Sequence, residues 1–177
     1  MRLTRADERL REIRELAEKK RYEETTTILE LIEKDFEKAK RIIGRMKREE
    51  PEKVSRLGAE EMQERVRIAM ALKDIEINAP IQKMLEIGEA RTSLAIGIGR
   101  RIFTLRDDPR ALQAIRKEIK GRSRGLFFGL RGLELLGEVG TYYPGGENKE
   151  LKQIEKELVR ELEDRMSYVP AELREEA

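Results

Sequence analysis

Apolar residues in this chain return at every third or fourth position, and no stretch alternates apolar with polar. Leu31, Ile32, Phe36, Ala39, Ile43 and Met46 trace one such stripe, and Leu151, Ile154, Leu158 and Leu162 trace another. That period matches the 3.6-residue turn of an α-helix and not the two-residue repeat of a strand. The expected fold is therefore all-α: a compact bundle of six or seven helices with no sheet. Composition agrees. Charged residues make up 42% of the 177 and aromatics 5%, against about 25% charged in ordinary soluble domains. Long charged side chains occupy helical surface, which leaves Leu, Ile, Val and Met to fill the core. A chain of this length buries one good core. The expected organisation is N-terminal helices over 1–50 as part of one domain, a helical core with a basic stretch over 51–140, and an acidic helix and tail over 141–177.

Local signals mark the helix ends. Thr4 is placed to cap a first helix of about 5–20, with Leu10, Ile13 and Ala17 on one face. The β-branched run Thr25-Thr26-Thr27 is poor helix material, and Thr27 with Glu30 reads as a capping box, so the second helix is expected from Ile28 to about Arg48. Pro51 ends it, Glu50–Gly58 reads as a polar connection, and a third helix begins near Ala59. Asn78-Ala79-Pro80 either kinks that helix or ends it and starts another. Leu94, Ile98 and Ile102 carry the stripe onward with Gly97 and Gly99 between them. Glycine in a helix costs about 0.8–1.0 kcal/mol against alanine, so these two are expected where packing is close. Asp108-Pro109 opens a helix of about 109–120 that stops at Gly121. Gly125–Gly140 reads as a buried helix ringed by Leu126, Phe127, Leu130, Leu133, Leu135 and Leu136. Its Gly125/Gly129 spacing admits a close neighbour, within the protomer or from another copy. After a break at residues 141–146, a helix of about 148–166 carries a Leu/Ile seam too short for a coiled coil, and residues 167–177 form a short tail.

What is missing narrows the chemistry. The chain has no Cys and no His. Disulfides, thiolate nucleophiles and zinc-thiolate sites are excluded, which is compatible with a reducing compartment. The usual near-neutral general base and most transition-metal sites are excluded too. Carboxylates and lysines still permit Mg²⁺-dependent phosphoryl chemistry, but there is no glycine-rich phosphate loop, serine elbow or DxD-type cluster. A non-enzymatic protein with no cofactor, no metal and no small-molecule substrate is expected. Met1–Lys20 lacks the apolar run of a signal peptide. Gly125–Tyr143 is broken by Arg131, Glu134 and Glu138, short of the ~20 apolar residues that span a bilayer. A cytoplasmic location without a membrane partner is expected. Four Gln and two Asn amid dense Glu, Lys and Arg suggest a thermophilic source.

The formal net charge of +2 conceals a strong asymmetry. Residues 100–131 hold ten Lys/Arg against three Asp/Glu, whereas residues 132–177 hold six against twelve. Arg100, Arg101, Arg106 and Arg110 lie around one helix junction, and Arg116, Lys117, Lys120, Arg122 and Arg124 cluster around the next. Arginine outnumbers lysine eight to two in this stretch. Its planar fork suits phosphate, and phosphate contacts supply affinity without sequence readout. The expected partner is nucleic acid, DNA bound without sequence preference, together with other protein subunits or copies of the same chain. Two other readings stay open: a surface rich in both signs that drifts positive here, and an acidic protein partner. No aromatic is interleaved, so base stacking is not indicated. Tyr142 and Tyr143, before a Pro-Gly turn, are more often packing residues than stacking ones.

Residues of about 10–90 carry a family resemblance. Leu10-Arg11-Glu12-Ile13-Arg14-Glu15-Leu16 is followed by a polar gap and by Leu31-Ile32-Glu33-Lys34-Asp35-Phe36-Glu37-Lys38-Ala39. Glu64-Arg65-Val66 and Ile81-Gln82-Lys83-Met84-Leu85-Glu86-Ile87 complete the pattern. Together they resemble the helical domain of archaeal GINS replication subunits, the last segment being similar to that family's Lys-Ile helix. Glu37 stands where the family often has an aromatic, and Asn78-Ala79-Pro80 where it often has paired arginines. The small β domain of many members is not visible in residues 91–177. The resemblance implies a non-catalytic scaffold bound to a replicative helicase and its partners. The competing class is a helical protein that coats nucleic acid in many copies, such as a CRISPR effector small subunit or a virion nucleoprotein. A third, a protein-binding adaptor, would leave the basic stretch neutralised by acidic helices such as 148–166.

Overall fold

The computed structural model describes residues 4–19, 22–46, 50–104, 109–122 and 126–168. Over these residues the chain is an all-α bundle of seven helices, with no strand among them. The helices are α1 (Thr4–Glu18), α2 (Tyr22–Met46), α3 (Pro51–Asn78), α4 (Ile81–Thr104), α5 (Pro109–Arg122), α6 (Leu126–Thr141) and α7 (Lys149–Ser167). None of them is long and apolar enough to cross a membrane.

α3 is the hub, in contact with α1, α2, α4, α5 and α6. From Glu61 to Leu72 only Gln63 and Arg67 are not buried. A helix covered on nearly all sides cannot show a clean apolar stripe, and charged residues in its interior must find partners there. Glu61 and Arg65, one turn apart, do so.

Two helix starts differ from the sequence expectation. α2 begins at Tyr22 and passes straight through Thr25–Thr27, so Thr27 is not its cap. Burial overrides propensity here: Thr25 is fully buried, and the Tyr22 hydroxyl donates to the Asn78 carbonyl at 3.1 Å, tying the start of α2 to the end of α3. α3 begins at Pro51 rather than near Ala59. Proline ends one helix and serves equally at the first position of the next, where its missing N–H costs nothing. The Asn78–Pro80 ambiguity resolves into a break: Ala79 is extended (φ −81°, ψ 152°) ahead of proline, and α4 follows.

The glycines of α4 and α6 mark close contacts. A Cβ on Gly99 would lie 3.1 Å from the Tyr142 carbonyl oxygen and 3.2 Å from that of Val139, so α4 rests directly on the backbone at the end of α6. A Cβ on Gly97 would meet Arg65 Nη1 at 2.7 Å. Gly129 leaves room for the Leu162 side chain of α7, an approach within the protomer. α6 is not ringed by apolar contacts as expected: Leu135, Leu136 and Val139 are buried, but Leu130 is half-exposed and Gly137 and Gly140 face open space. The side chains of Leu126 and Phe127, like those of Leu10 and Ala17, lie outside the described set. α7 fits its expectation, with Leu151, Ile154, Leu158 and Leu162 all buried. Asn148 caps it, its side-chain oxygen accepting from the Glu150 and Leu151 amides at 3.0 Å each. Leu31, although on the α2 stripe, is 41% exposed.

Candidate nucleic-acid interface

The basic stretch spans the end of α4, all of α5 and the start of α6, and within α4 and α5 the described cations point in different directions. Arg100 and Arg101 are neighbours about 100° apart around α4. Arg100 is exposed. Arg101 points inward, where its Nε donates to Glu61 Oε2 at 3.0 Å, and Nη2 lies 2.9 Å from the same oxygen without hydrogen-bond alignment. Glu61 is fully buried, and its Oε1 accepts from Arg65 Nε at 2.8 Å. The Arg65 guanidinium in turn stacks over the Phe36 ring, 4.4 Å from its centroid. Arg101 therefore belongs to a buried knot that joins α2, α3 and α4.

α5 buries Ala111, Ala114, Ile115 and Ile119. On its solvent side Arg110, Gln113 and Lys117 are exposed. Arg110 also borders a shallow cleft at the start of α3, lined by Glu50, Glu52, Lys53 and Arg56. Lys53 there pairs with Glu50 at 2.8 Å. Arg116 and Lys120, one turn apart on the flank of α5, face α7. Arg116 Nη2 lies 2.9 Å from Glu157 Oε1, and Lys120 Nζ lies 3.1 Å from Glu157 Oε2 and 2.8 Å from Glu161 Oε1. Hydrogen bonds to Glu161 and then Glu157 hold the Lys120 ammonium above its ordinary pKa. The Glu157 carboxyl is held below its ordinary value, chiefly by the hydrogen bond it accepts from Gln153 and then by that from Lys120.

The structure thus divides the candidate set. Arg101, Arg116 and Lys120 are directed at carboxylates of the same chain. Arg100, Arg110 and Lys117 are exposed, the latter two on one face of α5. Arg106 and Arg124 lie outside the described residues, as does the side chain of Arg122. Tyr143 packs edge to face with Phe103 at 5.7 Å between ring centroids, and Tyr142 is partly exposed.

Other charged residues, not anticipated as functional, serve the same structural end. Arg91 of α4 is held between Glu76 of α3, at 2.7 Å, and Glu138 of α6. Burial acts to lower its pKa, but hydrogen bonds to the two carboxylates more than reverse that and leave it raised. Arg67 pairs with Glu64 and reaches across to Glu118 of α5 at 3.2 Å. The sequence signal for this pair was slight: Glu61 and Arg65 stand among Glu60, Gln63, Glu64 and Arg67, and only their i,i+4 spacing sets them together. Among the described residues no group of three or more acidic side chains is arranged to hold a metal ion.

No protein-family model, curated protein or solved structure matches this chain significantly. The site is accordingly read from its own chemistry.

Proposed function

We propose that this chain is a non-enzymatic helical assembly protein that holds nucleic acid by its phosphates through the outer face of α5 and the exposed end of α4. The observation that carries the reading is the placement of Arg110 and Lys117 on one solvent face of α5. Seven residues of helix separate them by about 10 Å. Arg100 supplies a third exposed cation. Cations spread along a convex helix suit a backbone of regularly spaced charge and offer no geometry for reading base edges. The resemblance of residues 10–90 to archaeal GINS subunits supports a scaffold within a replication assembly; coating of nucleic acid by many copies uses the same contacts.

A protein-binding adaptor is the second reading, and one observation favours it: Arg116 and Lys120 are neutralised by α7. Binding of the intact chain to duplexes of unrelated sequence separates the two. The phosphate reading predicts equal affinity across sequences at low salt. It also predicts a slope of log K against log salt near −3, from three contacts at about −0.9 each. Absence of binding at low salt overturns it. Mass in solution with and without DNA then distinguishes the assemblies: a fixed small complex with other subunits marks a scaffold, and long regular filaments mark a coating protein.

A further inference from the structure

We infer that α7 is a built-in competitor for the phosphate-binding surface, its Glu157 and Glu161 carboxylates occupying the places of nucleic acid phosphates at Arg116 and Lys120. This rests on the phosphate reading of α5 and adds its regulation.

α7 has two kinds of attachment. Its apolar seam of Leu151, Ile154, Leu158 and Leu162 is buried, with Leu162 seated where Gly129 of α6 leaves space. That seam holds the helix on the bundle. Its carboxylates Glu157 and Glu161, by contrast, meet α5 through ion pairs to Arg116 and Lys120. The four side chains are 25–38% exposed. Water, and therefore a competing anion, reaches them, and partly exposed pairs of this kind are weak. The carboxylates can release their cations while the seam stays docked.

Their geometry is that of an anion stand-in. Two carboxylates one helical turn apart present oxygens to two cations one turn apart, and Lys120 bridges both. Tethering gives these carboxylates a high effective concentration, so they compete with a free phosphate without any strong bond. Lys117 lies between Arg116 and Lys120 in sequence and is exposed. Freed of α7, the three become one cationic strip beside Arg110.

The test is DNA binding by the intact chain carrying Glu157→Gln with Glu161→Gln, followed by anisotropy of a labelled duplex across a salt series. The control is Glu163→Gln with Asp164→Asn, which removes the same charge from exposed positions of α7. The inference predicts a salt slope steeper by about 2 and affinity roughly tenfold tighter than the control. Tenfold is about 1.4 kcal/mol, the scale of two such pairs. Adding Arg116→Gln and Lys120→Gln to the Glu157/Glu161 variant should abolish the gain while leaving the apolar seam intact. Equal behaviour of the Glu157/Glu161 variant and the control, with wild type still binding, overturns the inference and leaves the phosphate reading standing. Failure of wild type and every variant to bind at low salt overturns both.

Discussion

Glu61→Gln is the sharpest perturbation the fold offers. The amide keeps the shape of the carboxylate but not its charge, in a place with no access to water. Arg65 Nε and Arg101 Nε each donate to one Glu61 oxygen. Glutamine retains one acceptor and turns an NH₂ group toward the other guanidinium, so one donor meets a donor. Arginine cannot relieve this by losing its proton. Breaking a buried ion pair by removing one partner costs about 3–5 kcal/mol, a large share of the 5–15 kcal/mol that holds a typical domain together. For a chain of this size that corresponds to a fall in Tm of roughly 6–20 °C. Urea unfolding followed by circular dichroism measures the loss. A companion variant, Glu61→Leu with Arg65→Met and Arg101→Met, removes the whole knot and should recover most of it, since apolar replacement of a buried ionic cluster is often neutral or stabilising. A loss below about 1 kcal/mol for Glu61→Gln would refute the claim that unpaired buried charge sets the cost.

Gly99→Ala should destabilise by about 1–2 kcal/mol, because its Cβ would press on two backbone carbonyls of α6 and turn that cannot rotate away. Gly137→Ala, which meets only open space on α6, should stabilise by about 0.5–1 kcal/mol by the same urea assay; the reverse ranking would contradict the packing described. The α5–α7 ion pairs set a pH dependence with two edges. Glu157 has its folded pKa depressed, so its contribution is present above the ordinary carboxylate value, about 4.3, and is lost as pH falls through the folded value. Lys120 has its folded pKa raised, so its contribution is complete below about 10.4 and is lost as pH rises through the folded value. The stability lost between pH 7 and 3 should therefore be smaller in Glu157→Gln than in wild type, by about 0.2–1 kcal/mol; equal losses would show that Glu157 makes no such contribution.

The helical class was legible because period-3.6 stripes such as Leu151–Ile154–Leu158–Leu162 need no tertiary knowledge to recognise. Helix starts were less so. Thr25 sits inside α2 because its site is buried, and Pro51 begins α3 although the same residue also ends what precedes it. Both outcomes depend on neighbours remote in sequence, such as Asn78 for Tyr22. The basic stretch shows the same limit at the level of the site. Charge counts find Arg116 and Arg110 equally well, and on a helical wheel both flank the buried stripe of α5, Arg110 next to Ala114 and Arg116 next to Ile119. Which acids stand opposite the flank depends on how α7 docks. Its seam was visible, but the rotation that brings Glu157 and Glu161 against α5 was not. The half-exposed Leu130 and the exposed Ile77, Ile81 and Leu85 at the α3–α4 corner likewise lie on apolar patterns yet stay open to solvent.

The division of the basic stretch into outward and inward cations is most directly measured with two matched variants, Arg100→Gln/Lys117→Gln and Arg116→Gln/Lys120→Gln, each lacking two charges. For each, the salt slope of DNA binding and the unfolding free energy are recorded side by side. The account predicts that the outward pair flattens the slope by about 2 with stability unchanged. The inward pair should lower stability by about 0.5–2 kcal/mol and leave the slope as it was. Equal loss of slope from both pairs, or loss from the inward pair alone, would contradict it.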